Sequence, residues 1–310
     1  MLDSNNLYSD YAELYAIIAD DRDFEYELTQ MEVLKLDSSS TFVELFAGPA
    51  YHSTTLKKMG WDGKIIAIDS SKAMEDVAKK RGFFGNYICS DAITGLSTVT
   101  QAQVICIPRY SIVLVDHDYV KQLFYVIANA LCSDGCFFIE IHKDTVVNEQ
   151  AKIHGNWERL GIYRREVKNQ GRSIECLWPF TTKAVDIEKN IVDMSVKITS
   201  TNDSGKQDEF IFTSREHLHS RTTLDNFASE ARLVPAPDLN FDTSDGNFIA
   251  YQKKSDSAAD SDYFKTLGKK ALNRIFDLST NETQSKLIEK SGLDVEHHDS
   301  PLSLHVYNLL

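Results

Sequence analysis

Glycine and proline are scarce in this chain, 14 and 6 of 310 residues, and the stretch 8–36 contains neither. That scarcity excludes a collagen-like repeat and a Pro/Gly-rich low-complexity polymer. Positive charge is also short: 33 Lys and Arg face 46 Asp and Glu, a net charge of −13. Phosphate backbones and anionic lipid surfaces are repelled by such a chain unless a basic patch overrides the field, and none is visible, so neither nucleic acid nor membrane is expected as a partner. No apolar run approaches the ~20 residues that cross a bilayer. The opening MLDSNNLYSDY lacks the basic segment and apolar stretch of a secretory leader, which makes the cytoplasm the expected location. Cys89, Cys106, Cys132, Cys136 and Cys176 are odd in number and match no zinc spacing; reduced, mostly buried thiols and no metal are expected.

The composition that remains, 42% hydrophobic and 25% charged, is that of a globular protein. The length allows one large domain with additions or two modest ones. Leu7, Tyr11, Leu14, Tyr15 and Ile18 recur at helical spacing, predicting one or two amphipathic helices over 8–36. Short apolar runs then alternate with helical stretches: strands at 41–46, 64–68, 86–89, 103–107 and 136–141, helices at 52–59, 72–81 and 119–131, and a turn at Ser133-Asp134-Gly135. Strands apolar throughout and alternating with helices indicate a parallel sheet covered on both faces. Beyond His142 the pattern changes to strands at 163–167, 173–178, 189–199 and 209–212 with turn residues between them, which predicts antiparallel hairpins. A helix at 222–231 and strands at 233–241 and 247–252 follow, then a small acidic linker at 255–262, helices at 263–276 and 282–291 and a strand at 303–309.

An open parallel sheet binds ligands at the carboxyl ends of its strands. The first turn, Glu44-Leu45-Phe46-Ala47-Gly48-Pro49-Ala50, holds one glycine where a dinucleotide loop needs three, so a pyrophosphate is a poor fit and a nicotinamide oxidoreductase is disfavoured. Asp69, 21 positions beyond Gly48, ends the next strand where an acid accepts ribose hydroxyls. Together they suggest a nucleoside ligand without a pyrophosphate.

From 8 to 254 the chain resembles class I S-adenosylmethionine-dependent methyltransferases. VELFAGPAYHS aligns with the family's first motif, with Glu44 as its acid, Gly48 as the central glycine and Phe46 and Ala50 where glycine is usual; AIDSSKAM matches the second, CSDAITG the third, QVICIPRYSI the fourth strand and LCSDGCFFIEI the fifth. The resemblance implies S-adenosyl-L-methionine as cofactor, held by Tyr11, Tyr15, Glu44, Phe46, Ala47, Gly48, Asp69 and Ser70, with Met74 packing on adenine, Asp91 meeting its amino group, Ala92 supplying a backbone donor and Ile107 beside the site. A Tyr-rich first helix, antiparallel strands after the fifth strand, and the HLHSR segment at 217–221 make it similar to small-molecule N-methyltransferases of the glycine, sarcosine and amino-sugar type. The implied fold is α/β, a Rossmann-like seven-stranded methyltransferase sheet with an antiparallel β lid and a C-terminal extension. Its parts are capping helices at 1–40, a core at 41–145 and 214–254, a lid at 146–213 and the extension at 255–310.

Methyl transfer from a sulfonium requires alignment and exclusion of water more than acid–base chemistry. Tyr15, Arg109, Tyr110 and His142 are the candidates for the reacting edge, and Tyr8, Arg109, Tyr110, His142, Trp178, His219 and Arg221 for the acceptor. Arg109 reads equally as a partner for a substrate carboxylate and as a solvated side chain, and His52 as a packing residue. The implied reaction is in-line transfer to a small molecule, foremost an amine nitrogen of an amino-acid-like metabolite. Alternatives are a thioether sulfur, as in methionine, or a hydroxyl, and, in another class, a noncatalytic cofactor-binding partner. A homodimer through the lid or the extension stays open.

Overall fold

The computed structural model describes residues 2–142, 163–169, 171–186, 189–243 and 246–253. The elements expected at 263–276, 282–291 and 303–309, the acidic linker, Trp157, His297, His298 and His305 lie outside them.

The N-terminal region forms a two-residue strand β1 (Leu2–Asp3) and three short helices, α1 (Ser4–Tyr8), α2 (Ala12–Ala19) and α3 (Phe24–Gln30); the last two are the pair expected over 8–36, and α1 precedes that range. Acidic caps divide them: Asp3 accepts from the Asn5 amide at the start of α1, and Asp23 from the Tyr26 amide at the start of α3. The alternating part follows as β2 (Thr41–Leu45), α4 (Tyr51–Lys58), β3 (Lys64–Asp69), α5 (Lys72–Lys80), β4 (Asn86–Cys89), α6 (Ala92–Leu96), β5 (Ala102–Ile107), α7 (His117–Ala130) and β6 (Leu131–His142). Helix α6 was not expected; Asp91 caps it, accepting from the Ile93 and Thr94 amides. The expected turn at 133–135 lies inside β6, where the register with β5 shifts.

Next come β7 (Tyr163–Asn169), β8 (Arg172–Asp186), β9 (Ile191–Asn202), β10 (Gln207–His217), α8 (Arg221–Glu230), β11 (Leu233–Pro235), β12 (Phe241–Asp242) and β13 (Gly246–Lys253). The strand expected at 233–241 is interrupted by a 3-10 turn at Pro237–Leu239, because Pro235 and Pro237 cannot donate to a ladder.

The central sheet has the order β11-β13-β6-β5-β2-β3-β4, with β12 on β13 as an eighth strand. Strands β3, β4, β5 and β6 run parallel to β2 through these pairings, while β13 is antiparallel to β6. Strand β2, TFVEL, is buried at all five positions. It lies between β3 and β5, so the chain leaves it to opposite sides and a crevice opens at the carboxyl ends of these strands.

The second sheet, β1-β10-β9-β8-β7, is antiparallel except for the β1–β10 pair. Its inner face, with Ile174, Cys176, Val196, Ile198 and Phe212, packs on Leu7 and Ile18 of α1 and α2. The other side of α2, through Ala12 and Ala16, packs on Met74 and Val77 of α5. The N-terminal helices therefore fasten the second sheet to the central one. Removing one such aliphatic side chain costs about 2–5 kcal/mol.

Candidate functional site

Between the two sheets lies a cavity of about 1270 Å³ into which the carboxyl ends of β2, β3 and β5 open. Phe46, Gly48, Asp69, Ser70, Met74, Asp91 and Ala92 line one end; Tyr8, Tyr15, Arg109, Tyr110, His142 and Trp178 line the remainder. Thirteen residues singled out in seven separate segments of sequence thus share one cavity.

The loop after β2 is held in left-handed conformation at Phe46 (φ 51°), Gly48 (φ 49°) and Ala50 (φ 55°). The Asp69 carboxylate accepts from the amides of Gly48 and Ser71, both at 2.8 Å, and burial raises its pKa. Tyr87 of β4 donates to the Gly48 carbonyl at 2.8 Å, and Ser71 Oγ donates to the Tyr8 carbonyl at 2.5 Å. A Cβ on Gly48 would stand 3.9 Å from both Met74 Sδ and Tyr15 Cε1, in the space between them. At the far end Tyr119 donates to Asp91 Oδ2 at 2.5 Å. This donor and acceptor set, a carboxylate at the second strand end beside a glycine backbone with a buried thioether and a second acid beyond, fits the ribose and adenine of a nucleoside.

Arg109 and Tyr110 are consecutive left-handed residues, φ 57° and 55°. Non-glycine residues adopt that backbone at a cost of order ~1–2 kcal/mol. It is fixed by the Arg109 amide donating to Glu140 Oε2 at 2.5 Å. Glu140 is fully buried; Arg22 donates to its two oxygens at 2.7 and 2.6 Å and Thr243 at 3.0 Å. The Tyr110 ring stacks on His142, centroids 4.1 Å apart, with the Arg22 guanidinium 5.4 Å from its centre. Gly246, paired with His142 in register, leaves room for this ring: a Cβ there would fall 2.4 Å from Tyr110 Cε1. Arg109 is not a freely solvated side chain: it lines the cavity and its Nη1 donates to Asp21 Oδ1 at 2.9 Å. Tyr8 meets Tyr15 edge-on at 5.0 Å, and burial raises its pKa well above the usual tyrosine value.

Six expected site residues lie off the cavity lining. Tyr11 packs on Phe210 and Phe212. Ala47 and Ile107 are core residues, 5% and 0% exposed. Glu44 turns inward: its Oε2 accepts from the Ser53 amide at 2.9 Å and its Oε1 meets His52 Nδ1 at 3.2 Å. His219 presents Nε2 to the carbonyls of Ile112 and Val115, and burial pushes its pKa down to about 4, so the neutral ring braces that turn. Arg221 pairs with Asp225 one turn on in α8.

His52 is more than a packing residue. It bridges Glu44 and Glu27, with Nε2 2.6 Å from Glu27 Oε2; burial opposes its charge, but the two carboxylates outweigh this and lift the pKa to about 9.

Sequence reasoning missed Arg22, Tyr119, Ser214 and Glu216, all on the lining. For the last two a signal existed. Phe210 and Phe212 face inward on β10, and continuing that alternation by twos reaches Ser214 and Glu216, both buried.

The sequence matches no protein-family model and no curated protein. Solved structures do match in fold. The sugar N-methyltransferase KedS8 from Streptoalloteichus sp is 16% identical, covering 79% of this chain and 93% of its own, with a TM-score of 0.58. CalS10, an amino pentose methyltransferase from Micromonospora echinaspora whose structure contains bound S-adenosylmethionine, is 13% identical over 78% of this chain and 96% of its own, TM-score 0.58. An S-adenosylmethionine-dependent methyltransferase from Clostridium acetobutylicum is 13% identical over 79% of this chain and 98% of its own, TM-score 0.56. At these identities the likeness establishes a shared α/β fold built on a parallel-dominated central sheet.

Proposed function

We propose that this chain is an S-adenosylmethionine-dependent methyltransferase acting on a small-molecule acceptor, with an amine nitrogen as the favoured target. One observation carries the reading. Asp69 and Gly48 meet at adjoining strand ends and face a cavity of about 1270 Å³, larger than the ~300–1,000 Å³ typical of a single ligand and so roomy enough for cofactor and acceptor together. Asp69 would accept the ribose hydroxyls, Met74 and Ala92 would border the adenine, and Asp91 would face its amino edge. When bound, the cofactor supplies a methyl group on a cationic sulfur. The rings of Tyr8 and Tyr15 offer electron-rich faces to such a cation, worth about 0.5–2 kcal/mol each. The second sheet, in this reading, is a lid that excludes water, and the helices between the sheets cap the cofactor. Fold likeness to proteins described as a sugar N-methyltransferase and an amino pentose methyltransferase supports an amine as the acceptor.

Isothermal titration with S-adenosylhomocysteine tests the placement. Asp69→Ala is expected to weaken binding at least about tenfold, since charge-assisted hydrogen bonds are worth ~1.5–3 kcal/mol. An affinity within threefold of wild type would show that the ribose does not sit there.

A further inference from the structure

Strand β10 carries a carboxyl group that the reading above does not use. Glu216 is 3% exposed, lines the cavity, and occupies an inward position where its strand otherwise places Phe210 and Phe212. Among the described residues no Lys, Arg or His lies within ion-pair distance of it; its hydrogen-bonding neighbour is Trp178 on β8. Two positions earlier on the same face, Ser214 is 5% exposed, lines the cavity, and its Oγ has no hydrogen-bond partner among the described residues. A buried carboxyl without a counter-charge and a buried hydroxyl without a partner each cost free energy unless something in the cavity completes them. What completes the pair is a group that is cationic and donates hydrogen bonds.

We propose that Glu216 and Ser214 form the acceptor-recognition edge of the cavity, where Glu216 pairs with an ammonium on the acceptor and takes the proton that nitrogen must lose before it can be methylated. The proposal rests on the methyltransferase reading. The N–H bond of the ammonium breaks with its electron pair left on nitrogen, and the proton converts the Glu216 carboxylate to the acid. The freed lone pair forms the N–CH₃ bond as the donor's S–CH₃ bond breaks with its pair passing to sulfur. The methylated nitrogen is again cationic, and Glu216 returns its proton to solvent as product leaves.

The surroundings favour this exchange. Burial lifts the Glu216 pKa to about 7, against the pull of Trp178, so the group accepts and releases a proton near neutrality. Every element packed against β10 leaves the carboxyl without a fixed cation. Helix α1 presents Tyr8, whose own pKa is raised in part by Glu216; the turn Ser111–Leu114 holds no ionisable side chain; β1 contributes Asp3. On β9 the residue opposite Glu216 is Val192, and Arg215, which also borders the cavity, is engaged by Asp193, its Nε donating to Oδ1 at 2.8 Å. His217, the next residue on β10, has its pKa lowered by burial and stands at the outward alternation.

Transfer from methyl-labelled S-adenosylmethionine to two matched pairs, glucosamine against glucose and benzylamine against benzyl alcohol, tests the proposal, with S-adenosylhomocysteine affinity measured in parallel. The wild type is expected to methylate amine members only, with kcat/KM rising with pH through about 7. Glu216→Gln should lower kcat/KM at least about 50-fold and remove that pH limb while cofactor affinity stays within threefold. Should Glu216→Gln fail to fold, Glu216→Asp replaces it, expected to keep the limb and lose at least about tenfold in kcat/KM. Transfer to a hydroxyl member, transfer to no amine, or variant kinetics and pH profile equal to wild type would overturn the proposal. A wild type that fails to bind S-adenosylhomocysteine overturns the methyltransferase reading with it.

Discussion

A left-handed backbone at a residue with a Cβ raises the local energy by about 1–2 kcal/mol. The loop after β2 bears this twice, at Phe46 and Ala50, with Gly48 between them in the same conformation. The motif this loop resembles has glycine at the outer two positions, and here Phe46 and Ala50 both adopt the left-handed backbone that favours glycine. Ala50 is therefore held at an angle that strains an alanine, φ 55°. Gly48 combines that angle with a site where a methyl would enter the space between Met74 and Tyr15. Gly48→Ala is expected to destabilise by about 1–2 kcal/mol in urea unfolding and, since the methyl projects into the proposed cofactor path, to weaken S-adenosylhomocysteine at least about tenfold in titration. Unfolding at wild-type denaturant concentration, or binding at wild-type strength, would contradict one half or the other.

Helices α3 and α4 and strand β2 are joined through Glu27, His52 and Glu44, all buried. His52 binds its proton more tightly folded than unfolded, about 9 against an ordinary 6.5. Its contribution to stability is thus complete below about 6.5 and is lost as pH rises through about 9. Glu27 has the opposite sense: against the cost of burial, the His52 hydrogen bond and charge lower its pKa, so its contribution is present above the ordinary glutamate value and is lost as pH falls. Thermal unfolding of the wild type should show a midpoint that declines between pH 6.5 and 9. His52→Gln should flatten that decline and cost about 3–5 kcal/mol near neutrality, because buried Glu44 loses its cation and Glu27 keeps only Arg22, 3.4 Å away. A variant with the wild-type slope would show that His52 is neutral in the fold. This triad was not legible beforehand: Glu27, Glu44 and His52 are separated in sequence, and only helix packing brings them together. The alternating strands were legible, since β2, β3, β4 and β5 are short apolar runs bounded by turn residues. Strand β10 runs well beyond the stretch expected, because its later residues face the cavity and are polar, as Ser214 and Glu216 are.

Across the whole molecule, both sheets contribute to one cavity, and the N-terminal helices pack between them. The end proposed for the nucleoside lay within reach of sequence reading because Gly48, Asp69 and Asp91 sit at or just beyond strand ends and Met74 lies in the first turn of the helix that follows β3. The other end could not, because Arg22 meets Glu140 118 residues away and Glu216 reaches the cavity wall through the pairing of β10 with β9, contacts between parts of the chain that local pattern does not join. Of the 46 acids that give the chain its charge of −13, several serve inside it: Glu27, Glu44 and Glu140 in buried ion pairs, Asp69 and Glu216 on the cavity wall. The most direct test of the central claim is a crystal structure of the protein with S-adenosylhomocysteine. The account predicts ribose hydroxyls on Asp69, adenine between Met74 and Ala92, and the sulfur facing Tyr8 and Tyr15 with open space toward Tyr110 and Glu216. A ligand bound elsewhere, or bound here with its sulfur turned away from that space, would contradict it.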